Sequence, residues 1–71
     1  MIKQYVYDAL RLKYEAEIKE AETNVLNYFN NSVGVAEHPN IIESMDLLID
    51  KLATAEDKLR TLKEYFDELT G

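Results

Sequence analysis

The sequence contains no cysteine, one proline and two glycines among its 71 residues. Without cysteine the chain has neither disulfide bonds nor thiol chemistry. Proline and glycine interrupt helices more than any other residue, so their scarcity favours long, unbroken elements. Alanine, leucine, glutamate and lysine are frequent instead, and this composition is typical of proteins built from long helices.

Basic residues are also scarce: 8 lysines and arginines stand against 14 aspartates and glutamates, a net charge of −6. Such a chain repels phosphate backbones and anionic membrane surfaces, so we expect it to bind neither nucleic acid nor membranes. No apolar run approaches the length of a membrane span, and no secretory signal follows the first methionine. These features predict a cytoplasmic protein.

The second half of the chain repeats itself at seven residues, since Asp-Lys-Leu at 50–52 returns at 57–59. Its apolar residues alternate between spacings of four and three, the pattern of a helix that keeps one face towards a partner helix. The pattern is formed by Ile41, Met45, Leu48, Leu52, Ala55, Leu59, Leu62, Phe66 and Leu69. Ile42 and Ile49 widen it on one flank. We predict a helix over residues 39–70.

The first half has a less regular apolar stripe, which predicts another helix over residues 3–31. The stripe consists of Tyr7, Leu10, Tyr14, Ile18, Ala21, Val25 and Tyr28. Arg11 interrupts it, and we expect the aliphatic stem of this arginine to lie along the stripe while its charge reaches water. Tyr5, Leu12 and Leu26 form a second, weaker apolar line.

Opposite charges four residues apart on the polar faces predict ion pairs within each helix. The candidate pairs are Glu15–Lys19, Glu56–Arg60, Arg11–Glu15, Lys13–Glu17 and Lys63–Asp67. Pairs of this kind stabilise an isolated helix by only a few tenths of a kcal/mol each. A solvated surface therefore accounts for most of the charged residues.

Residues 32–38 are predicted to form the loop between the helices. Gly34 suits the left-handed conformation that ends a helix, and Pro39 suits the first turn of the next helix while keeping His38 extended. A loop this short returns the chain antiparallel to itself. The prediction is an all-α fold: a single domain, residues 1–71, formed by an antiparallel, coiled-coil-like two-helix hairpin.

Two finer features follow from this hairpin. Asn40 and Glu43 fit a capping box at the start of the second helix. Folding back about the loop also sets a register in which small residues oppose large ones. The predicted pairs are Val25 with Met45, Ala21 with Leu48, Ile18 with Leu52, and Tyr14 with Ala55.

The sequence offers little that points to catalysis or to a cofactor. His38 is the only histidine, and Glu37 beside it is its one carboxylate neighbour. The Glu-x-x-His pattern of di-iron bundles is absent, as are phosphate-binding loops and nucleophile motifs. We therefore expect no enzyme activity, no cofactor and no metal, and give His38 a role in the loop.

A long hairpin leaves each helix with one neighbour, while the apolar arc of the second helix approaches half of its circumference. We therefore expect a homodimer that forms a four-helix bundle through the two apolar stripes. An alternative is an acidic regulator that binds a groove on a host or viral protein. A further alternative, of another class, is a small metal-binding bundle.

Residues 31–39, Asn-Ser-Val-Gly-Val-Ala-Glu-His-Pro, and the following residues 41–46 resemble part of a known group of proteins. They are similar to small uncharacterised proteins of tailed marine bacteriophages, in which a Val-Gly-x-x-Glu-His-Pro turn joins two helical segments. The resemblance covers about a third of the chain and carries no catalytic residue. It implies a phage-encoded protein that acts in the cytoplasm of an infected bacterial cell.

Overall fold

In a computed structural model, the backbone is described for residues 2–31 and 40–70, and the side chains for residues 2–31 and 40–68. Helix α1 spans Ile2–Asn30, helix α2 spans Ile41–Phe66, and a 3₁₀ helix spans Asp67–Thr70. No strand occurs in these ranges. The prediction of an all-α hairpin is thus confirmed. Gly34, His38 and Pro39, named as turn residues, lie outside the described residues.

The ends of the two helices are held mainly by backbone hydrogen bonds. At the end of α1, the Asn31 N–H donates to the Asn27 carbonyl oxygen at 3.0 Å, and the Asn31 side-chain amide donates to the same oxygen. At the start of α2, the Ser44 N–H donates to the Asn40 carbonyl oxygen at 3.0 Å. The Asn40 side chain makes no capping hydrogen bond, so the predicted capping box is not formed.

Two contacts between the helices show that they run antiparallel. The Tyr7 hydroxyl near the start of α1 donates to Asp67, just beyond the end of α2. Tyr14 lies under the Lys58 ammonium, three residues further along α2 than Ala55, its predicted partner. Side chains on a helix lean towards its N-terminus, which accounts for this offset in an antiparallel pair.

The core is a single seam between the helices. Its buried apolar residues are Tyr7, Ala21, Val25, Ala55 and Leu62, all from the two predicted stripes. Other stripe residues, among them Met45, Leu52 and Leu59, are half-buried. Because each helix has one neighbour, one side of most seam residues stays open to solvent.

The hairpin is a rod of 52 × 15 × 14 Å. Its radius of gyration is 16.0 Å, whereas a compact domain of 71 residues has about 11 Å. The elongated shape exposes both flanks of the seam over its whole length. These flanks carry the candidate functional surface.

Candidate interaction surface

An open groove of about 700 Å³ lies between the N-terminal part of α1 and the C-terminal part of α2. Most of its walls are apolar: α1 contributes Ile2, Val6 and Leu10, and α2 contributes Leu62 and Phe66. Polar groups are contributed by Lys3, Asp57, Lys58 and Thr61. We call this feature the terminal groove. Its size is that of a binding cleft, and its lining is suited to apolar side chains.

Several apolar side chains of the terminal groove are well exposed in the hairpin. The exposed fraction is 72% for Ile2, 52% for Val6 and 48% for Phe66. Phe66 belongs to the predicted seam, yet about half of it faces solvent. It is the last residue of α2, and the chain then changes to a 3₁₀ helix with three residues per turn.

The same side of the hairpin continues towards the loop as a polar cavity of about 410 Å³. Its α1 wall includes Glu17, Glu20 and Asn24, and its α2 wall includes Lys51 and Thr54. On each helix, these residues follow those of the terminal groove at spacings of three and four, so they lie on the same side of the helix. Lys58 borders both cavities. We call the terminal groove and this polar continuation together the groove face.

A hydrogen bond closes the end of the hairpin that carries both chain termini. The hydroxyl of Tyr7 donates to Asp67 Oδ1 at 3.0 Å, across 60 residues of sequence. The pKa of the Tyr7 hydroxyl is raised, first by burial and then by this bond to a carboxylate. The heptad pattern places Tyr7 in the core but gives no sign of its partner, because Asp67 lies outside the stripe.

Lys58 marks the boundary between the apolar and polar parts of the groove face. Its ammonium lies 5.9 Å from the ring centre of Tyr14, within the range of a cation–π contact. Such a contact is worth about 0.5–1 kcal/mol at an exposed site. Apolar spacing places Tyr14 in the seam but does not indicate its contact with Lys58, which depends on the register of the helices.

Several ion pairs join side chains of the same helix. The predicted pairs Arg11–Glu15 at 3.0 Å and Lys13–Glu17 at 2.9 Å are formed, and the second raises the Lys13 pKa. The predicted pairs Glu15–Lys19 and Glu56–Arg60 are not formed. The alternative partners are nearer in the adopted rotamers: Lys19 pairs with Glu22, and Arg60 pairs with Asp57 and Glu64. The bond to Asp57 is the main reason for a raised Arg60 pKa.

The flank opposite the groove face also exposes large apolar side chains, mostly near the loop. Leu26 and Phe29 of α1 and Ile42 and Ile49 of α2 are exposed, Ile42 by 78%. Ile42 and Ile49 were expected in the self-association seam, and in the single hairpin they lie at its solvent-facing edge.

The described residues contain no group of three or more histidine, cysteine, aspartate or glutamate side chains that is arranged to hold a metal ion. Nor do they contain a buried side-chain polar atom without a hydrogen-bond partner. Neither described helix combines the length and the apolar character needed to cross a membrane.

Comparison with protein-family models, with curated proteins and with solved structures gave no match. The inference of function consequently rests on the groove face and on the apolar surface that the hairpin leaves exposed.

Proposed function

We propose that this chain is a non-enzymatic interaction protein that associates with itself as a homodimer, forming a four-helix bundle. The observation that carries the proposal is the amount of surface, much of it apolar, that one hairpin leaves in water. The solvent-accessible surface of the chain is 5649 Å². A compact monomer of 8.2 kDa exposes about 4,500 Å².

The excess has the size of a protein–protein interface. It amounts to roughly 1,100 Å² per chain, and a standard interface buries about 800 Å² on each partner. One association of ordinary size would thus give each chain the exposed surface of a compact protein of its mass.

The exposed side chains have the chemistry that an interface requires. Scattered apolar residues are normal on a protein surface, but contiguous apolar patches mark sites of association. The described residues expose Ile2, Tyr5, Val6, Leu12, Leu26, Phe29, Ile42, Leu47, Ile49, Tyr65 and Phe66. Ile2, Val6 and Phe66 meet in the terminal groove, where they form one such patch.

A second hairpin is the simplest way to cover this surface. In a four-helix bundle each helix has two neighbours, so a second hairpin covers one flank of the seam along its length. Two-fold pairing is the commonest closed arrangement of identical chains. The likeness of residues 31–39 to marine-phage proteins supports a setting inside an infected bacterial cell.

Sedimentation equilibrium at micromolar concentration tests the proposal. We expect a mass twice that of the 8.2 kDa chain. We also expect a melting temperature that rises with protein concentration, because mass action stabilises an associating fold. A stably folded monomer whose cooperative melt is independent of concentration would contradict the proposal.

The exposed edge of α2 favours an alternative function, that of an acidic regulator that binds a groove on a host or viral protein. Ile42 and Ile49 lie seven residues apart on one side of α2, the spacing of anchors for a helix bound in a groove. A folded monomer in the sedimentation experiment would favour this alternative.

A further inference from the structure

We infer that two copies of the chain meet through the groove face, about a two-fold axis parallel to the hairpin, so that both loops lie at the same end of the dimer. This inference rests on the proposed homodimer and adds to it the surface and the direction of pairing.

The groove face is the part of the surface that association can cover with the least loss of existing contacts. Glu17 and Asp57 line this face and are already ion-paired within their own helices, and the cations that pair with them lie outside both cavities. By contrast, Glu20 and Lys51 on the groove face have no ion-pair partner within the described part of the hairpin. Covering this face therefore buries apolar groups and leaves polar groups that a partner can satisfy.

The groove face is mostly apolar near the chain termini and charged towards the loop, and this difference determines the direction of the partner. If two fully overlapping copies ran in opposite directions, the apolar terminal groove of each would cover the charged cavity of the other. Burying charges against apolar groups is costly. If the copies run in the same direction, the two terminal grooves meet, and Val6 and Phe66 of both copies share one apolar interface.

The same direction also brings opposite charges together. With the two-fold axis along the hairpin, α1 of each copy lies on α2 of the other, and neighbouring helices run antiparallel. Tyr14 lies level with Lys58, so Glu20, further along α1, lies near the level of Lys51. Each Glu20 then faces the partner's Lys51, and the pair forms twice in the dimer.

A matched pair of substitutions tests the face. Val6→Glu places a carboxylate in the terminal groove, whereas Leu12→Glu places one on the same helix outside both cavities, at a residue of similar exposure, 52% against 56%. We expect the first to weaken dimerisation roughly a hundredfold or more, and the second to change it less than about threefold. Both residues are exposed in the single hairpin, so helicity should survive in both variants.

Equal weakening by the two substitutions, or greater weakening by Leu12→Glu, would overturn the choice of the groove face. The test is separate from that of the proposed function. If the native protein is a monomer, the homodimer itself is wrong; if it is a dimer that tolerates Val6→Glu, the assigned face alone is wrong.

Distances between spin labels test the direction. The chain has no cysteine, so Gln4→Cys at the terminal end and Glu43→Cys at the loop end each provide one labelling site per chain. Both are exposed. In the proposed dimer, the distance between identical labels at either end is limited to the width of two rods, each 15 × 14 Å in cross-section. Distances close to the 52 Å length of the hairpin at both ends would overturn the proposed direction.

A charge exchange tests the pairing itself. Glu20→Lys and Lys51→Glu should each weaken the dimer roughly tenfold, since like charges then meet at two symmetric places. The double variant should return to within about threefold of the native dissociation constant. If the dissociation constant of the double variant rises by the product of the two single increases, Glu20 does not face the partner's Lys51 and the proposed pairing is wrong.

Discussion

The two halves of the hairpin share one backbone geometry but fill the space between their helices differently. In the terminal half, residues 2–15 and 57–68, the buried residues are Tyr7 and Leu62. In the loop half, residues 16–31 and 40–56, they are Ala21, Val25 and Ala55. The larger, apolar groove lies beside the larger side chains, and the smaller, polar cavity lies beside the smaller ones. Large buried side chains thus lie beside the apolar part of the groove face, and small buried side chains lie beside its polar part.

The largest expected effect is a loss of folding stability, and it is measured by truncating equivalent leucines in the two halves. Leu62 and Leu48 occupy the same heptad position, 14 residues apart, but Leu62 is buried whereas Leu48 is half-buried. Leu62→Ala should lower the free energy of unfolding by about 2–4 kcal/mol, and Leu48→Ala by clearly less, because less surface is lost from the core. Urea denaturation at one protein concentration measures both.

An exposed position on α2 serves as the control for these truncations. Ala53→Lys should change the free energy of unfolding by less than about 0.5 kcal/mol, since Ala53 faces solvent. Equal losses for Leu62→Ala and Leu48→Ala would show that the two halves do not differ in how they contribute to stability.

A smaller effect is expected when the bond that closes the terminal half is removed. Tyr7→Phe deletes the hydroxyl that donates to Asp67 and keeps the buried ring. The melting temperature should fall, but by less than in Leu62→Ala, because the apolar packing remains. Tyr65→Phe, at an exposed tyrosine of the same half, should leave the melting temperature unchanged.

The same bond should make stability depend on pH in the alkaline range. Because burial and the bond to Asp67 raise the pKa of Tyr7, its hydroxyl ionises at lower pH in the unfolded chain than in the folded one. Its contribution is therefore complete below the ordinary tyrosine pKa of about 10 and is lost as the pH rises through the raised value. The stability difference between the native protein and Tyr7→Phe should thus shrink above pH 10, and a constant difference there would contradict this assignment.

The smallest expected effect concerns two glutamates, each four residues from Arg60. Glu64 pairs with Arg60 at 3.0 Å, whereas Glu56 does not pair with it. Glu64→Gln should lower the melting temperature slightly at low salt and not at high salt, because salt screens exposed pairs. Glu56→Gln should have no such salt-dependent effect. A salt-dependent effect of Glu56→Gln without one of Glu64→Gln would favour the Glu56–Arg60 pair that the sequence predicted.

The sequence was sufficient to predict the helices and the seam, because both depend on spacing alone. Apolar residues spaced alternately by four and three identify the inward face of α2 without knowledge of its partner helix. The buried residues Ala55 and Leu62 both belong to this pattern. The helices were predicted over residues 3–31 and 39–70, whereas α1 spans Ile2–Asn30 and α2 spans Ile41–Phe66.

The terminal groove and its contacts were not predictable from the sequence, because they depend on side-chain direction and register. The offset of Tyr14 towards Lys58 arises from the lean of helical side chains, which apolar spacing does not encode. The choice of Arg60 between several carboxylates depends on rotamers of similar energy. Phe66 keeps its heptad position within α2 and is nevertheless 48% exposed, which the spacing does not encode.

The bond between Tyr7 and Asp67 also has a consequence for hydrogen exchange. Helix ends normally fray independently, and their amide hydrogens exchange with solvent at low free-energy cost. Here, opening the first turns of α1 and opening the 3₁₀ helix at Asp67–Thr70 break the same bond. The two ends of the chain are therefore coupled through this bond, and we expect Tyr7→Phe to speed amide exchange at both ends.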